Sequence, residues 1–387
     1  MIWRQNGQYT RRKEQTMQTQ SQATPAAQDF LPLKNVHHIE FWVGNAKQAS
    51  YFYHKVMGFD LVAYRGPETG HRQAASYVLQ QGKIRFVVST PLGPDHPMAD
   101  HIHRHGDGVR CMALEVDDAA KAFAEVTKRG AKAVEEPRKI SDDNGTVELA
   151  TIATYGDTVH TFVALGDYTG PFLPGFEARG QKGQGVGLVA IDHIVGNVEL
   201  GQMNEWVRFY AETMGFSQLL HFDDEDISTE YSALMSKVMQ DGTGKIKFPI
   251  NEPAQGKKKS QIEEYLDFYH GPGVQHIALL TGDIISTVSQ LRESGLEFLT
   301  IPDSYYAAVP DRIGTIKENL ADLQRLGILV DRDDEGYLLQ IFTRPIQDRP
   351  TVFFEVIQRR GSRGFGQGNF KALFEAIERE QARRGNL

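Results

Sequence analysis

Phe209-Tyr210-Ala211-Glu212-Thr213-Met214-Gly215-Phe216 has a counterpart in the first half of the chain, Phe52-Tyr53-His54-Lys55-Val56-Met57-Gly58-Phe59, and the offset between them is the same at both ends. Each copy is a helix-like run closing on Met-Gly-Phe, which puts glycine where a helix stops in a left-handed turn. Ahead of each stands another shared phrase, Val36-His37-His38-Ile39-Glu40-Phe41-Trp42-Val43-Gly44-Asn45 and Ile191-Asp192-His193-Ile194-Val195-Gly196-Asn197-Val198. A third pair follows at a slightly larger offset: Gly108-Val109-Arg110-Cys111-Met112-Ala113-Leu114 against Gly273-Val274-Gln275-His276-Ile277-Ala278-Leu279. Self-similarity over most of the length marks a duplicated chain.

Within each copy the order reads strand, helix, strands, and then the same again. Strand segments such as 83–88 and 351–354 are rich in β-branched and aromatic residues. Helical ones carry apolar residues at i, i+4 and i+7, as in Ile284, Val288 and Leu291. The pattern predicts an α+β fold: two tandem domains of duplicated βαβββ modules, each a curved, mainly antiparallel sheet with outer helices. The expected boundaries are a disordered arm over 1–30, a first domain over 31–177, a glycine-rich linker over 178–188, and a second domain over 189–387 that ends in a helix.

Composition narrows the function. Lys+Arg 42 against Asp+Glu 50 gives −8, which argues against a nucleic-acid binder held by bulk positive charge. Lys257-Lys258-Lys259 reads as a solvated loop. A single cysteine, Cys111, excludes an intrachain disulfide and a Cys-rich zinc site. No uninterrupted apolar stretch is long enough to span a membrane, and the first thirty residues hold no apolar signal core. A cytoplasmic, reducing setting is expected, with Met17 as an alternative start.

Three polar residues sit inside strand-like runs. By the period of two, His193 shares a face with Ile191 and Val195, His276 with Val274 and Ala278, and Glu355 with Phe353 and Ile357. A carboxylate on an inward apolar face is costly unless it is paired, hydrogen-bonded or metal-bound. Two histidines and one carboxylate form the facial triad of non-haem Fe(II) oxygenases, although each histidine alone would more often be a hydrogen-bonded core residue. The duplication offers an internal comparison: His38 stands for His193, Cys111 for His276 and, in a looser alignment, Val163 for Glu355. One metal, in the second half, is expected. The His101-Ile102-His103-Arg104-His105 tract resembles a metal-binding run but reads as a solvated helix end.

Further stretches extend the pattern: Leu234-Met235-Ser236-Lys237-Val238-Met239, Phe248-Pro249-Ile250-Asn251-Glu252-Pro253, Lys259-Ser260-Gln261-Ile262, Leu339-Gln340-Ile341-Phe342-Thr343, Phe353-Phe354-Glu355-Val356-Ile357-Gln358 and Gly364-Phe365-Gly366-Gln367-Gly368-Asn369-Phe370. With the phrases around His193 and His276, they make the chain resemble the 4-hydroxyphenylpyruvate dioxygenase family of the vicinal-oxygen-chelate superfamily, from about Leu33 to the C-terminal helix. The resemblance implies an oxidoreductase of tyrosine and phenylalanine catabolism that turns 4-hydroxyphenylpyruvate and O₂ into homogentisate and CO₂. It implies one Fe(II) per chain on His193, His276 and Glu355, and a homodimer or homotetramer with no nucleic-acid or membrane partner.

The resemblance also puts Ser236, Asn251 and Gln261 on the substrate. Read without it, Ser236 is a loop hydroxyl, Asn251-Glu252-Pro253 a turn, and Ser260 the cap of a helix that Gln261 begins. Gln340 neighbours the ligand strands and is expected to contact the substrate, whereas alternation turns Gln275 away from the face of His276; Gln275 and Pro249 are expected to support the ligands from behind. Phe342, Phe353 and Phe365 would wall a ring, Phe353 sharing the face of Glu355. Asn369 and Phe370 are expected to contact the substrate; Asn369 could also cap a final helix in which Phe370, Leu373, Phe374 and Ile377 recur at helical spacing, and which in the family closes over the iron. The Gly-x-Gly-x-Gly run before it lacks the Lys-Ser/Thr of a phosphate loop. Two other functions fit the same fold: 4-hydroxymandelate synthase, acting on the same substrate, and a non-catalytic sequestering protein.

Overall fold

The computed structural model describes residues 29–222, 233–254 and 256–386. The first half runs β1 (Asn35–Trp42), α1 (Ala46–Lys55), β2 (Asp60–Arg65), β3 (Ala74–Gln81), β4 (Ile84–Pro91), α2 (Pro97–His105), β5 (Gly108–Glu115), α3 (Ala119–Lys128), β6 (Ala133–Asp142), β7 (Gly145–Ala153), β8 (Val159–Ala164) and β9 (Glu177–Gln181). The second runs β10 (Leu188–Asn197), α4 (Met203–Arg208), β11 (Ser217–Phe222), β12 (Ala233–Gln240), β13 (Lys247–Ala254), α5 (Gln261–Tyr269), β14 (Gly273–Thr281), α6 (Ile284–Glu293), α7 (Asp303–Ala307), α8 (Val309–Ile313), α9 (Leu320–Leu326), β15 (Leu329–Arg332), β16 (Tyr337–Phe342), β17 (Phe353–Arg360) and α10 (Phe370–Arg383).

The duplication is visible in the strand order. One sheet reads β6-β7-β8-β5-β1-β4-β3-β2-β9 and the other β11-β12-β13-β10-β14-β17-β16-β15, so reversing the second superposes β17-β14-β10-β13-β12-β11 on β8-β5-β1-β4-β3-β2. The pairing is mainly antiparallel. In each copy the antiparallel centre, β1 with β5 or β10 with β14, is flanked by parallel partners.

Local signals build the helices. Asn45, Asp118 and Asp283 each accept a backbone N–H at the first turn of α1, α3 and α6. Gly58 and Gly215 take φ of 76° and 73° at the two Met-Gly-Phe endings, a conformation that costs glycine little. Ser260 caps α5 and, with Glu263, forms a reciprocal capping box. Ser260→Ala is expected to cost about 1 kcal/mol, measurable by denaturant unfolding, and to loosen the helix end that carries Gln261.

Strand alternation ties the two halves together. Glu355 and Phe353 face the front of the second sheet, while Phe354 between them is fully buried at the back, with its ring 5.7 Å from Phe86 and 6.1 Å from Tyr53 of the first half. His160 stacks on Phe248 at 5.4 Å and bonds the Tyr210 hydroxyl at 2.9 Å.

Two boundaries differ from expectation. Phe30 does not belong to an arm: it lies under the Arg129 guanidinium and packs against the core, while residues 1–28 fall outside the described residues. The segment expected as linker is partly ordered sheet, because β9 pairs with β2 and the Gly185 N–H donates to the Gly58 carbonyl.

Candidate metal centre and pocket

Ladder register brings the three expected ligands together. His193 lies opposite Ala278, and His276 opposite Val195, across β10 and β14. Ala278 in turn lies beside Glu355 across β14 and β17. The result is a set of donor atoms all within 4.8 Å of one another. His193 Nε2 stands 3.2 Å and His276 Nε2 3.5 Å from the same oxygen, Glu355 Oε2. All three side chains are withdrawn from solvent, His276 the least so at 12% exposed.

The far ring nitrogens are already committed. His193 Nδ1–H donates to Asp192 Oδ1 at 2.8 Å, and His276 Nδ1–H donates to Gln275 Oε1 at 2.8 Å. A ring that is neutral with this Nδ1–H turns an Nε2 lone pair toward a carboxylate, which also only accepts. Lone pairs facing a carboxylate require a proton or a cation between them, and metal-bound histidines commonly carry this outer hydrogen bond. Burial works to raise Glu355, but the facing His193 and His276 outweigh it and hold the carboxyl down at about 2. Burial also lowers His276, whereas for His193 the combined pull of Glu355 and Asp192 overcomes burial and raises it. The donor set suits a divalent metal ion.

Two bulges make this wiring possible. The β10–β14 register slips between Ile191 and His193, leaving Asp192 as an extra residue, and again between Val195 and Gly196, leaving Gln275 extra. A bulged residue escapes strict alternation. That is why Gln275, expected to point away from His276, bonds its ring and lines the cavity.

Asp192 is itself held. Arg359 Nε donates to its Oδ2 at 2.7 Å and Nη2 to its Oδ1 at 2.8 Å. Burial would raise this carboxyl, and the Arg359 fork more than reverses it, leaving Asp192 well below the usual carboxylate range. Arg359 Nη1 also donates to the Gly364 and Ser362 carbonyls, and the guanidinium lies 5.4 Å from the Phe365 ring. Phe365 meets His193 edge-on at 4.9 Å. Neither Asp192 nor Arg359 was singled out by the sequence reading.

A cavity of about 80 Å³ opens on the triad. Phe353 stacks on the His276 ring at 4.8 Å, and Phe342 meets it edge-on at 6.0 Å. Ser236, Pro249, Asn251 and Gln261 line the other walls, and Phe370, Leu373, Phe374 and Ile377 of α10 cover it. Ser236 and Asn251 are strand residues directly paired across β12 and β13, neither loop nor turn.

Two expected contacts lie elsewhere. Asn369 does not line the cavity and does not cap α10; its Oδ1 accepts from the Tyr305 hydroxyl at 2.6 Å and from Arg312 Nη2 at 3.3 Å. That buried junction anchors the start of α10. Gln340 also stays off the lining. Its buried amide has no hydrogen-bond partner among the described residues and lies against Gly366, where an added Cβ would come within 2.5 Å of Nε2.

The first half lacks the set. Ala113, the counterpart of Ala278, pairs with Thr161. The equivalent of Glu355 is thus Thr161, and Val163, expected there, lies two residues further along and pairs with Glu115. His38 and Cys111 hold the other places, and the Cys111 thiol donates to Thr161 Oγ1 at 3.3 Å. A hydroxyl and a buried thiol pushed up to about 12 offer no anionic ligand. The His101–His105 tract ends α2, as expected, but only its outer face is solvated: His103 and Arg104 are exposed, whereas His101 and His105 are 6% and 2% exposed. No described helix is long and apolar enough to cross a membrane.

Residues 35–148 and 190–341 match the family model of the Glyoxalase/Bleomycin resistance protein/Dioxygenase superfamily. The chain is 50% identical over 365 residues to a 4-hydroxyphenylpyruvate dioxygenase of Yarrowia lipolytica, covering 90% of this chain and 93% of that protein. It is also 50% identical over 365 residues to a 4-hydroxyphenylpyruvate dioxygenase of Danio rerio, covering 91% and 92%. Among solved structures, a triple mutant of 4-hydroxymandelate synthase from Streptomyces coelicolor matches with a TM-score of 0.81 at 33% identity, covering 90% of this chain and 99% of that one.

Proposed function

The chain belongs to the Glyoxalase/Bleomycin resistance protein/Dioxygenase superfamily and, within it, to the 4-hydroxyphenylpyruvate dioxygenases, and from that premise we propose that His193, His276 and Glu355 hold one Fe(II) at which 4-hydroxyphenylpyruvate and O₂ become homogentisate and CO₂. The observation that carries this reading is the meeting of two Nε2 atoms on one carboxylate oxygen, with both Nδ1 atoms already spent. When bound, Fe(II) supplies a redox-active centre with coordination positions beyond its three protein ligands for the keto acid and O₂.

The chain's own groups select and orient. Phe342, Phe353 and Phe365 give the substrate ring apolar walls. Ser236, Asn251 and Gln261 offer hydrogen bonds to its phenol and keto-acid ends. Gln275 keeps His276 turned toward the centre, and Pro249 completes the wall behind. The apolar face of α10 excludes water from a reactive centre. The first half contributes Phe86 and Tyr53 behind β17 and acts as a support and oligomer surface. A homodimer or homotetramer in the cytoplasm completes the reading.

The similarity to a 4-hydroxymandelate synthase makes that activity the second reading. Homogentisate and 4-hydroxymandelate are isomers, so mass alone does not separate them. Protein loaded anaerobically with Fe(II) and then given 4-hydroxyphenylpyruvate and O₂ is expected to yield a product whose proton NMR shows a side-chain methylene and three ring hydrogens. A methine with four ring hydrogens would move the oxidation to the side chain and assign the synthase instead.

A further inference from the structure

Among the described residues, two groups bring three His or carboxylate donor atoms within 4.8 Å of one another: the triad, and His101 with His105 and Asp157. The second group lies in the first half, at its border with the second. His101 and His105 are one turn apart on α2, on the face that packs inward, and Asp157 sits in the turn between β7 and β8. We propose that His101, His105 and Asp157 form a second metal site, for a zinc-like divalent cation, at the border between the two halves of the chain.

Three observations carry it. The His105 ring has acceptors at both nitrogens: Nδ1 meets the Tyr269 carbonyl, and Nε2 meets Asp157 Oδ2 at 2.8 Å. With Nδ1–H donating to the carbonyl, a metal ion between Nε2 and the Asp157 carboxylate satisfies both acceptors of this buried pair. With the metal, His105 is neutral and its Nδ1–H donates to a backbone carbonyl, as metal-bound histidines do. Next, His101 Nε2 is buried without any partner. A buried ring nitrogen with no hydrogen-bond partner among the described residues is free to ligate an ion. Lastly, two imidazoles and a carboxylate make a donor set that late first-row divalent cations accept.

The neighbouring cations can be accommodated. Arg104 donates to Asp157 Oδ2 at 3.1 Å, but its side chain is 60% exposed and can turn to water. Arg110 is engaged with the Asp157 backbone carbonyl and the Trp42 ring. Tyr269 ends α5 of the second half and stacks on the His105 ring at 4.4 Å, covering the site from that side.

The test is zinc stoichiometry by elemental analysis, after chelator-stripped protein is loaded with Zn²⁺ and desalted. Two equivalents per chain are expected for the parent, one for His276→Ala and one for His101→Phe, which keeps an aromatic ring against Trp42. Should His101→Phe fail to fold, Asp157→Asn is read the same way. A parent that retains a single equivalent lost in His276→Ala overturns the proposal, as does a His101→Phe protein that still retains two. Cobalt(II) in place of zinc, added to His276→Ala protein, is expected to give visible d–d absorption that disappears in the His101→Phe/His276→Ala double variant. The triad reading fails separately, if His276→Ala retains as much metal as the parent.

Discussion

Glu355→Ala is expected to leave a folded protein that retains little metal at the triad and has lost its turnover. Glu355 is the one anionic group among the three donors, and both histidines point at its Oε2. Its removal leaves two neutral imidazoles, a weak pair for a divalent cation. If the metal supplies several kcal/mol to the reaction, turnover falls by about 10³-fold or more. The fold should survive, because the change deletes a desolvated charge and leaves no buried charge unpaired in its place. Glu355→Gln keeps the shape of the side chain while removing its charge, and separates ligand loss from packing loss. Circular dichroism checks the fold, elemental analysis the metal, and oxygen consumption the turnover. A Gln variant with full iron content and parental turnover would sink the triad.

The triad was legible in the sequence because a period of two puts a polar residue on an inward face wherever a strand is recognised, and because the duplicated half shows what the same position holds without it. The remainder depended on register. Alignment of the two halves by sequence sets Val163 opposite Glu355, whereas the β5–β8 ladder pairs Ala113 with Thr161. Alternation misdirected Gln275 because it cannot anticipate a bulge. The same bulge logic hid Asp192, and its partner Arg359 lies 167 residues away in sequence. The His101 tract looked solvated because its cover, Tyr269, comes from the other half of the chain. Asn369 carried a cap-like identity, yet Tyr305 and Arg312 claim its carbonyl oxygen. In each case the missing information was a long-range contact, which composition and periodicity do not contain.

Asp192 is where the proposed metal centre and the covering segment meet, and its substitution should separate the two kinds of cost. Its carboxylate accepts from His193 on one side and from the Arg359 fork on the other, and Arg359 in turn donates to the Ser362 and Gly364 carbonyls that lead into α10. In Asp192→Ala the guanidinium, only 16% exposed, loses its counter-charge, and breaking a buried pair from one side costs about 3–5 kcal/mol. His193 Nδ1 also loses its acceptor, so the ring can turn and metal affinity should fall by about 10–100-fold. Arg359→Met in the Asp192→Leu background removes both charges together, and apolar replacement of a whole pair is often neutral in stability. That double variant should recover most of the thermal stability lost in Asp192→Ala while remaining weak in metal binding, because nothing in it holds the His193 ring. Chelator competition measures the affinity, and unfolding of the metal-free protein measures the stability. If the double variant recovers both, Asp192 serves only to neutralise Arg359; if Asp192→Ala binds metal as tightly as the parent, the orientation of His193 owes nothing to this carboxylate.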